Sequence, residues 1–316
     1  MVAKRSRPPA GKWSALLAPD TPLMEAGAKV LAARLQAVHE HLQPAAERAH
    51  EDIEHVHQLR VATRRATAAL QVFEDLLPDK TLRRTKVLLR TLRRAAGDAR
   101  DWDVFAGIIE GSTSLAEPST LPARDYLLGY ANGHRTVAQL ILQQVATERG
   151  DQLASAITAL PDSLKQDYVP KSLGPQAMLA MTGLFEQFEK ALASGPTSET
   201  ALHQLRIQAK RIRYAMEIFA GCFAPQFREV IYPAVEELQS TLGTIQDSSV
   251  LSARLRDVRT WLRSTRPEVL RRIRPGLNGL TLESNQQVRS ARVAFGRWSR
   301  QWVNLREQHK ITEIAA

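Results

Sequence analysis

At 316 residues and 35.2 kDa, 44% hydrophobic and 24% charged, the chain can bury one large core or two ordinary ones. No apolar run approaches the roughly 20 residues that span a bilayer, and the basic start over 1–9 lacks the apolar centre of a secretory signal. Its single cysteine, Cys222, excludes an internal disulfide framework and a cysteine-based zinc site, so a reducing cytoplasm and no membrane are expected. Lys and Arg number 43 against 33 acidic residues, a formal charge of +10, and 33 of the 43 are Arg. The planar fork of Arg suits phosphate better than the point charge of Lys, so this surplus favours a polyanionic partner.

In chain order, residues 1–20 read as a basic, disordered tail. Apolar residues at three- and four-residue spacing predict helices over 23–42, 53–77, 82–96 and 126–145, separated by Pro44, Pro78 and the turn-rich run 111–122. A second helical series starts at Gln176 and breaks at 194–196 and again at Arg274, Pro275 and Gly276. Alternating strand patterns are missing, so the fold class is all-α. The expected division is a first bundle over 21–150, a linker over 151–175 and a second bundle over 176–316.

An internal repeat supports that division. Residues 57–73, HQLRVATRRATAALQVF, align without gaps on 203–219, HQLRIQAKRIRYAMEIF, with seven of seventeen positions identical. At the same offset of 146, LRRAAGDARDWDV (92–104) falls on LQSTLGTIQDSSV (238–250), matching Leu92, Gly97, Asp101 and Val104. Two blocks at one offset imply two similar helical bundles.

A helix places Leu59, Ala62, Ala66, Ala69, Leu70 and Phe73 on one stripe, and Leu205, Ile212, Ala215, Met216 and Phe219 on its counterpart. Away from these stripes lie His57, Arg60, Arg64 and Arg65 in the first copy, and His203, Arg206, Lys210, Arg213 and Tyr214 in the second. Neither row contains an acidic residue to balance it at i,i+4 spacing. A solvated charged face is the bland reading of such a row; its repetition and its missing acids favour an anion site. The following helix adds Lys86, Arg90, Arg93 and Arg94, with Arg83, on the side opposite Leu89 and Leu92. Gly97 and Gly243 read as helix-end punctuation, with Asp101 and Asp247 as N-caps four residues later; Asp101 could alternatively orient a nearby Arg. Trp261, Trp298 and Trp302 recur among apolar residues and are expected mostly in the core.

VHQLRVATRR (56–65) resembles the first signature of the CHAD domain, the conserved histidine α-helical domain, and HQLRIQAKRIRY (203–214) resembles its second. GDARDWDV and LGTIQDSSV fall where that family carries its Gly-x-x-(Arg/Asn)-Asp blocks, and the resemblance covers roughly 20–310. It implies two antiparallel four-helix bundles related by a pseudo-twofold, with basic helices lining a groove or central pore. It also implies binding of inorganic polyphosphate, with some bacterial members localised to polyphosphate granules. Carried over, the binding residues would be His57, Arg60, Arg64 and Arg65, then His203, Arg206, Lys210, Arg211 and Arg213. The chain departs from the pattern at Thr67, where another Arg is common, and at Gln246, where Asn is frequent. Many relatives carry a triphosphate-processing CYTH domain, for which there is no room here.

The expectation is therefore a non-catalytic polyphosphate-binding protein with no cofactor. Binding should weaken with salt through counterion release and strengthen toward acid pH as the anion raises the pKa of His57 and His203. A nucleic-acid-binding protein is the first rival, though no helix-turn-helix signature or aromatic stacking platform is present. An enzyme processing polyphosphate through His57 or His203 is the second. For that reading the sequence supplies no P-loop, no acidic cluster for paired metal ions and no general base. The paired histidines His39/His41 and His55/His57 diverge on a helix and cannot chelate a metal together.

Overall fold

A computed structural model describes residues 12–13, 16–165 and 171–309. Among them, eight α-helices carry the fold: α1 (Leu23–Glu47), α2 (Glu54–Val72), α3 (Asp79–Glu110), α4 (Leu121–Thr158), α5 (Leu173–Ala193), α6 (Glu199–Phe219), α7 (Tyr232–Thr265) and α8 (Pro267–His309). The fold is all-α; the extended pairing among the described residues is the single bridge between Pro22 and Ser172. No helix of the described residues is long and apolar enough to cross a membrane.

Short connections make chain neighbours pack side by side, α1 on α2, α2 on α3 and α3 on α4, and α4 returns to α1. The second half repeats this through α5, α6, α7 and α8, with Phe185 and Phe188 of α5 against Trp298 and Trp302 of α8. Corresponding helices also meet across the halves: α1 touches α5, α2 touches α6 and α4 touches α8. The stripes expected on α2 and α6 are buried throughout, Leu59, Leu70, Ile212, Met216 and Phe219 completely. Each such side chain contributes about 1.5–3 kcal/mol of hydrophobic stabilisation. The core does not split at the repeat boundary. One cluster draws on all eight helices, and a second joins Phe105, Ile109 and Leu127 of the first half to Leu251, Leu255 and Leu277 of the second.

Several local expectations are corrected. The linker expected over 151–175 is shorter, because α4 continues to Thr158 and α5 starts at Leu173. Pro44 lies inside the last turn of α1 and Pro275 inside α8, so neither ends its helix. Next to Pro275, a Cβ on Gly276 would lie 2.4 Å from the Cβ of Ala123, so glycine is what allows α8 to approach α4 this closely. Gly97 and Gly243 are helix-interior residues of α3 and α7 rather than ends, and Asp101 and Asp247 are not caps. The break at 194–196 is real: Gly195 adopts φ +62° and the Ser198 hydroxyl accepts from the backbone N–H of Ala201, capping α6.

The segment expected to be a disordered tail is in part a strap. Trp13 packs on Tyr232 with ring centroids 4.7 Å apart, Lys12 pairs with Glu236 at 3.0 Å, and Leu17 is buried. The Leu17 carbonyl passes so close to Gly221 that a Cβ there would have no room. The rest of the tail, 1–11 and 14–15, lies outside the described residues. Of the three tryptophans, Trp298 and Trp302 are core residues, whereas Trp261 is 54% exposed.

Candidate functional site

α2 and α6 lie side by side in the same sense, with their basic rows facing a common space. His57 and His203, near the two N-termini, line one cavity of about 490 Å³ with Arg60, Arg64, Arg206 and Lys210. Arg60, Arg64, Lys210 and Ile207 also line an adjoining cavity of about 560 Å³, which adds Thr67, Arg93, Arg211 and Tyr214. Together they form a cleft walled by α2, α3, α6 and α7. The four central cations are half-buried rather than spread over an exposed face.

Burial and crowding make the cleft electrostatically unrelaxed. Burial, followed by repulsion from Arg64, Arg206, Arg60 and Arg213, pushes Lys210 down to about 6. Burial also holds the His57 imidazole below its ordinary range; Arg100, Arg60 and Arg64 push the same way, against Glu54. Arg64 and Arg206 are lowered chiefly by burial, although guanidinium groups stay charged. The Arg206 Nε is buried with no hydrogen-bond partner among the described residues.

Two carboxylates temper this field. Asp101 accepts from Arg60 Nη1 at 2.5 Å, which is the orienting role considered for it. Asp247 faces Arg206 and Lys210, yet burial raises its pKa. Arg60 also donates to the Gly97 carbonyl at 3.3 Å, and His203 Nδ1 shares a hydrogen bond of 2.6 Å with Gln246 Oε1. Residues of the second repeated block thus stand beside those of the first: Gly97 and Asp101 at Arg60, Gln246 at His203 and Asp247 at Arg206.

Not every expected binding residue lines the cleft. Arg65 turns away and grips Glu217 with its fork, Nε to Oε2 at 2.7 Å and Nη2 to Oε1 at 3.4 Å. Glu217 is fully buried and also accepts from the Tyr232 hydroxyl at 2.9 Å. Arg213 reaches Glu236 at 3.3 Å and lies over the Tyr214 ring. Lys86 pairs with Glu74 at 2.8 Å, and Arg90 and Arg94 are exposed on α3 outside both cavities. Arg93 and Arg211 do line the second cavity.

Two cleft residues were missed. Arg100 stands beside Asp101 in the repeated block, a signal that was present. Arg254 lies seven residues, two helical turns, beyond Asp247 on the same face of α7. It places its guanidinium 3.8 Å from the centroid of the Trp102 ring and donates to the Asp101 carbonyl at 2.6 Å.

The sequence matches the CHAD domain family over residues 29–256. The structure is similar to the crystal structure of the CHAD domain from the plant Ricinus communis, with a TM-score of 0.70 at 22% identity, covering 92% of this chain and 97% of that one. It is also similar to PptA from Streptomyces chartreusis, with a TM-score of 0.69 at 18% identity, covering 88% of this chain and 99% of that one. No curated protein matches the sequence.

Proposed function

This chain belongs to the CHAD domain family, and from that premise we propose that the cleft between α2 and α6 binds inorganic polyphosphate without turning it over. The observation that carries the reading is the convergence of Arg60, Arg64, Arg206 and Lys210, half-buried and drawn from both halves, on one cavity. A chain with about one negative charge per internal phosphate can accept charge-assisted hydrogen bonds from several of these donors at once. Bound charge would also relieve their mutual repulsion and restore the protons that burial removes from Lys210 and His57. In this reading Asp101 and Gln246 position Arg60 and His203, and Arg254 extends the cation row beyond the repeated helices. Association with polyphosphate granules in the cytoplasm would follow from the same contacts.

The test is binding of purified protein to long-chain polyphosphate across a salt series, with single-stranded DNA and heparin as competitors. The companion protein carries Arg60, Arg64, Arg206 and Lys210 changed to Ala, with helicity measured to confirm folding. Preferential, salt-sensitive binding that falls at least 100-fold in the variant is expected. Equal affinity for all three polyanions, or an unaffected variant, would overturn the reading. Release of inorganic phosphate that depends on His57 or His203 would replace it with a catalytic one.

A further inference from the structure

Trp102 stands between the cleft and a separate cavity, touching a residue of each. Arg254 of the cleft lies over its indole, and His134 stacks on the same side chain at 4.5 Å with ring planes 10° apart. His134 belongs to a cavity of about 680 Å³ between α4 and α7, a volume suited to a small molecule. Tyr126, Tyr130 and His134 recur every four residues along α4, while Asp257 and Trp261 do so on α7. These rings and carboxylates therefore line up along two facing helices.

The character of this cavity is opposite to that of the cleft. No Lys or Arg lines it, whereas Asp125 stands on one wall and Asp257 on the other. Both carboxylates are exposed, and neither is in an ion pair or side-chain hydrogen bond among the described residues. Burial raises the pKa of Tyr126 and of Tyr130, so both phenols stay neutral and present uncharged π faces. Trp261, 54% exposed, is a large indole left in water with no core role. Gly129 lines the same wall, and no atom lies within 4 Å of where its Cβ would be, so the space beside Tyr126 and Tyr130 is open.

We propose that this cavity binds an aliphatic polyamine. Two carboxylates on facing walls would each take an ammonium end, and the rings between them would hold the intervening methylenes and share in cation–π attraction. A single quaternary ammonium would satisfy the rings but leave one carboxylate unmatched. The proposal uses no residue of the polyphosphate reading except the shared support of Trp102, and it stands or falls separately.

The test is calorimetric titration of spermidine into the full-length protein without polyanion at low salt, alongside Asp125→Asn/Asp257→Asn and Trp261→Ala. All the replaced side chains are exposed, so the variants should fold, which circular dichroism checks. Saturable one-to-one binding is expected, weakened at least tenfold in the double variant and several-fold in Trp261→Ala. Tetramethylammonium should bind more weakly than spermidine. Absence of saturable binding, or equal binding by the double variant, would overturn the proposal. Preference for an acetylated lysine-rich peptide over spermidine would overturn it too, by assigning the surface to a protein partner.

Discussion

Arg64 and Arg65 are neighbours on one helix, and their side chains have opposite surroundings. Arg64 faces a cleft shared with Arg60, Arg206 and Lys210, where burial and like charge lower its pKa. Arg65 faces the other way into a fully buried carboxylate, Glu217, supplied by α6 from 152 residues along the chain. The difference teaches that a run of cations acquires its role from the carboxylates that other helices bring to it. Where Glu217 arrives, Arg65 holds the two halves together, and Glu236 likewise occupies Arg213 within the second half. Where only Asp101 and Asp247 arrive among more cations, positive charge is left over for a ligand.

The largest effect should come from breaking the matched end. Glu217→Ala leaves Arg65 unpaired and strands the Tyr232 hydroxyl, and it should cost about 3–5 kcal/mol in denaturant unfolding. The protein that remains folded should still bind polyphosphate. A full loss of binding by folded protein would show that the two ends are not separable.

The neighbouring arginines sharpen the contrast. Arg64→Ala should weaken polyphosphate binding at least tenfold while leaving thermal stability unchanged or higher, because it removes a repelled charge. Arg65→Ala should do the reverse, lowering the melting temperature with little change in affinity. Paired melting and binding curves for the two variants check both halves of this statement.

Lys210 gives the comparison a pH axis. An unfolded lysine keeps its proton to near 10.4, whereas burial and the surrounding guanidinium groups push Lys210 down to about 6. Between those values the unfolded chain binds more protons, so this group makes the empty protein more stable as pH rises from about 6 toward 10. Bound polyphosphate would restore the proton, so affinity should fall as pH rises above about 6, by up to about tenfold per unit. His57, also lowered by burial, adds to the trend. Calorimetry in buffers of different ionisation enthalpy should show proton uptake on binding, and Lys210→Arg should reduce it.

The smallest effects lie at the repeated glycines. Gly243→Ala introduces a Cβ into open space within α7 and should stabilise by about 0.5–1 kcal/mol, the helix-propensity gain, without touching binding. Gly97→Ala should gain similarly in a melting curve. Because Gly97 lines the second cavity, it should also weaken binding modestly if the phosphate chain runs past it.

Periodicity made the helices, the buried stripes of α2 and α6, and the pairing of two basic rows legible, since each depends on residues within a few turns. The repeat at a constant offset and the family signatures then pointed to the cations of the cleft. What the sequence hid is non-local. Nothing near Arg65 announces Glu217, and nothing near Arg254 announces Trp102. Gly97 looked like a helix end because glycine is costly inside helices, but tertiary packing along α3 overrides that preference. Trp261 fitted an apolar period yet falls outside the core, because the helix opposite leaves a cavity there. The tail looked solvated from its composition, although Trp13 and Leu17 supply enough apolar surface to anchor it.

That strap has a mechanical consequence. It lies across α7 and the turn at Gly221, its neighbours at 19–23 are stitched to 171–174 by backbone hydrogen bonds, and Arg65 clasps Glu217 beneath. The two halves are thus sewn together along one side, and the second core cluster of Phe105, Leu127, Leu251 and Leu277 joins them again. In the proposed reading, a cleft braced in this way would sort its guests by thickness as well as by charge. A single-file phosphate chain could be threaded into it, whereas a duplex of equal charge density would be held at the mouth.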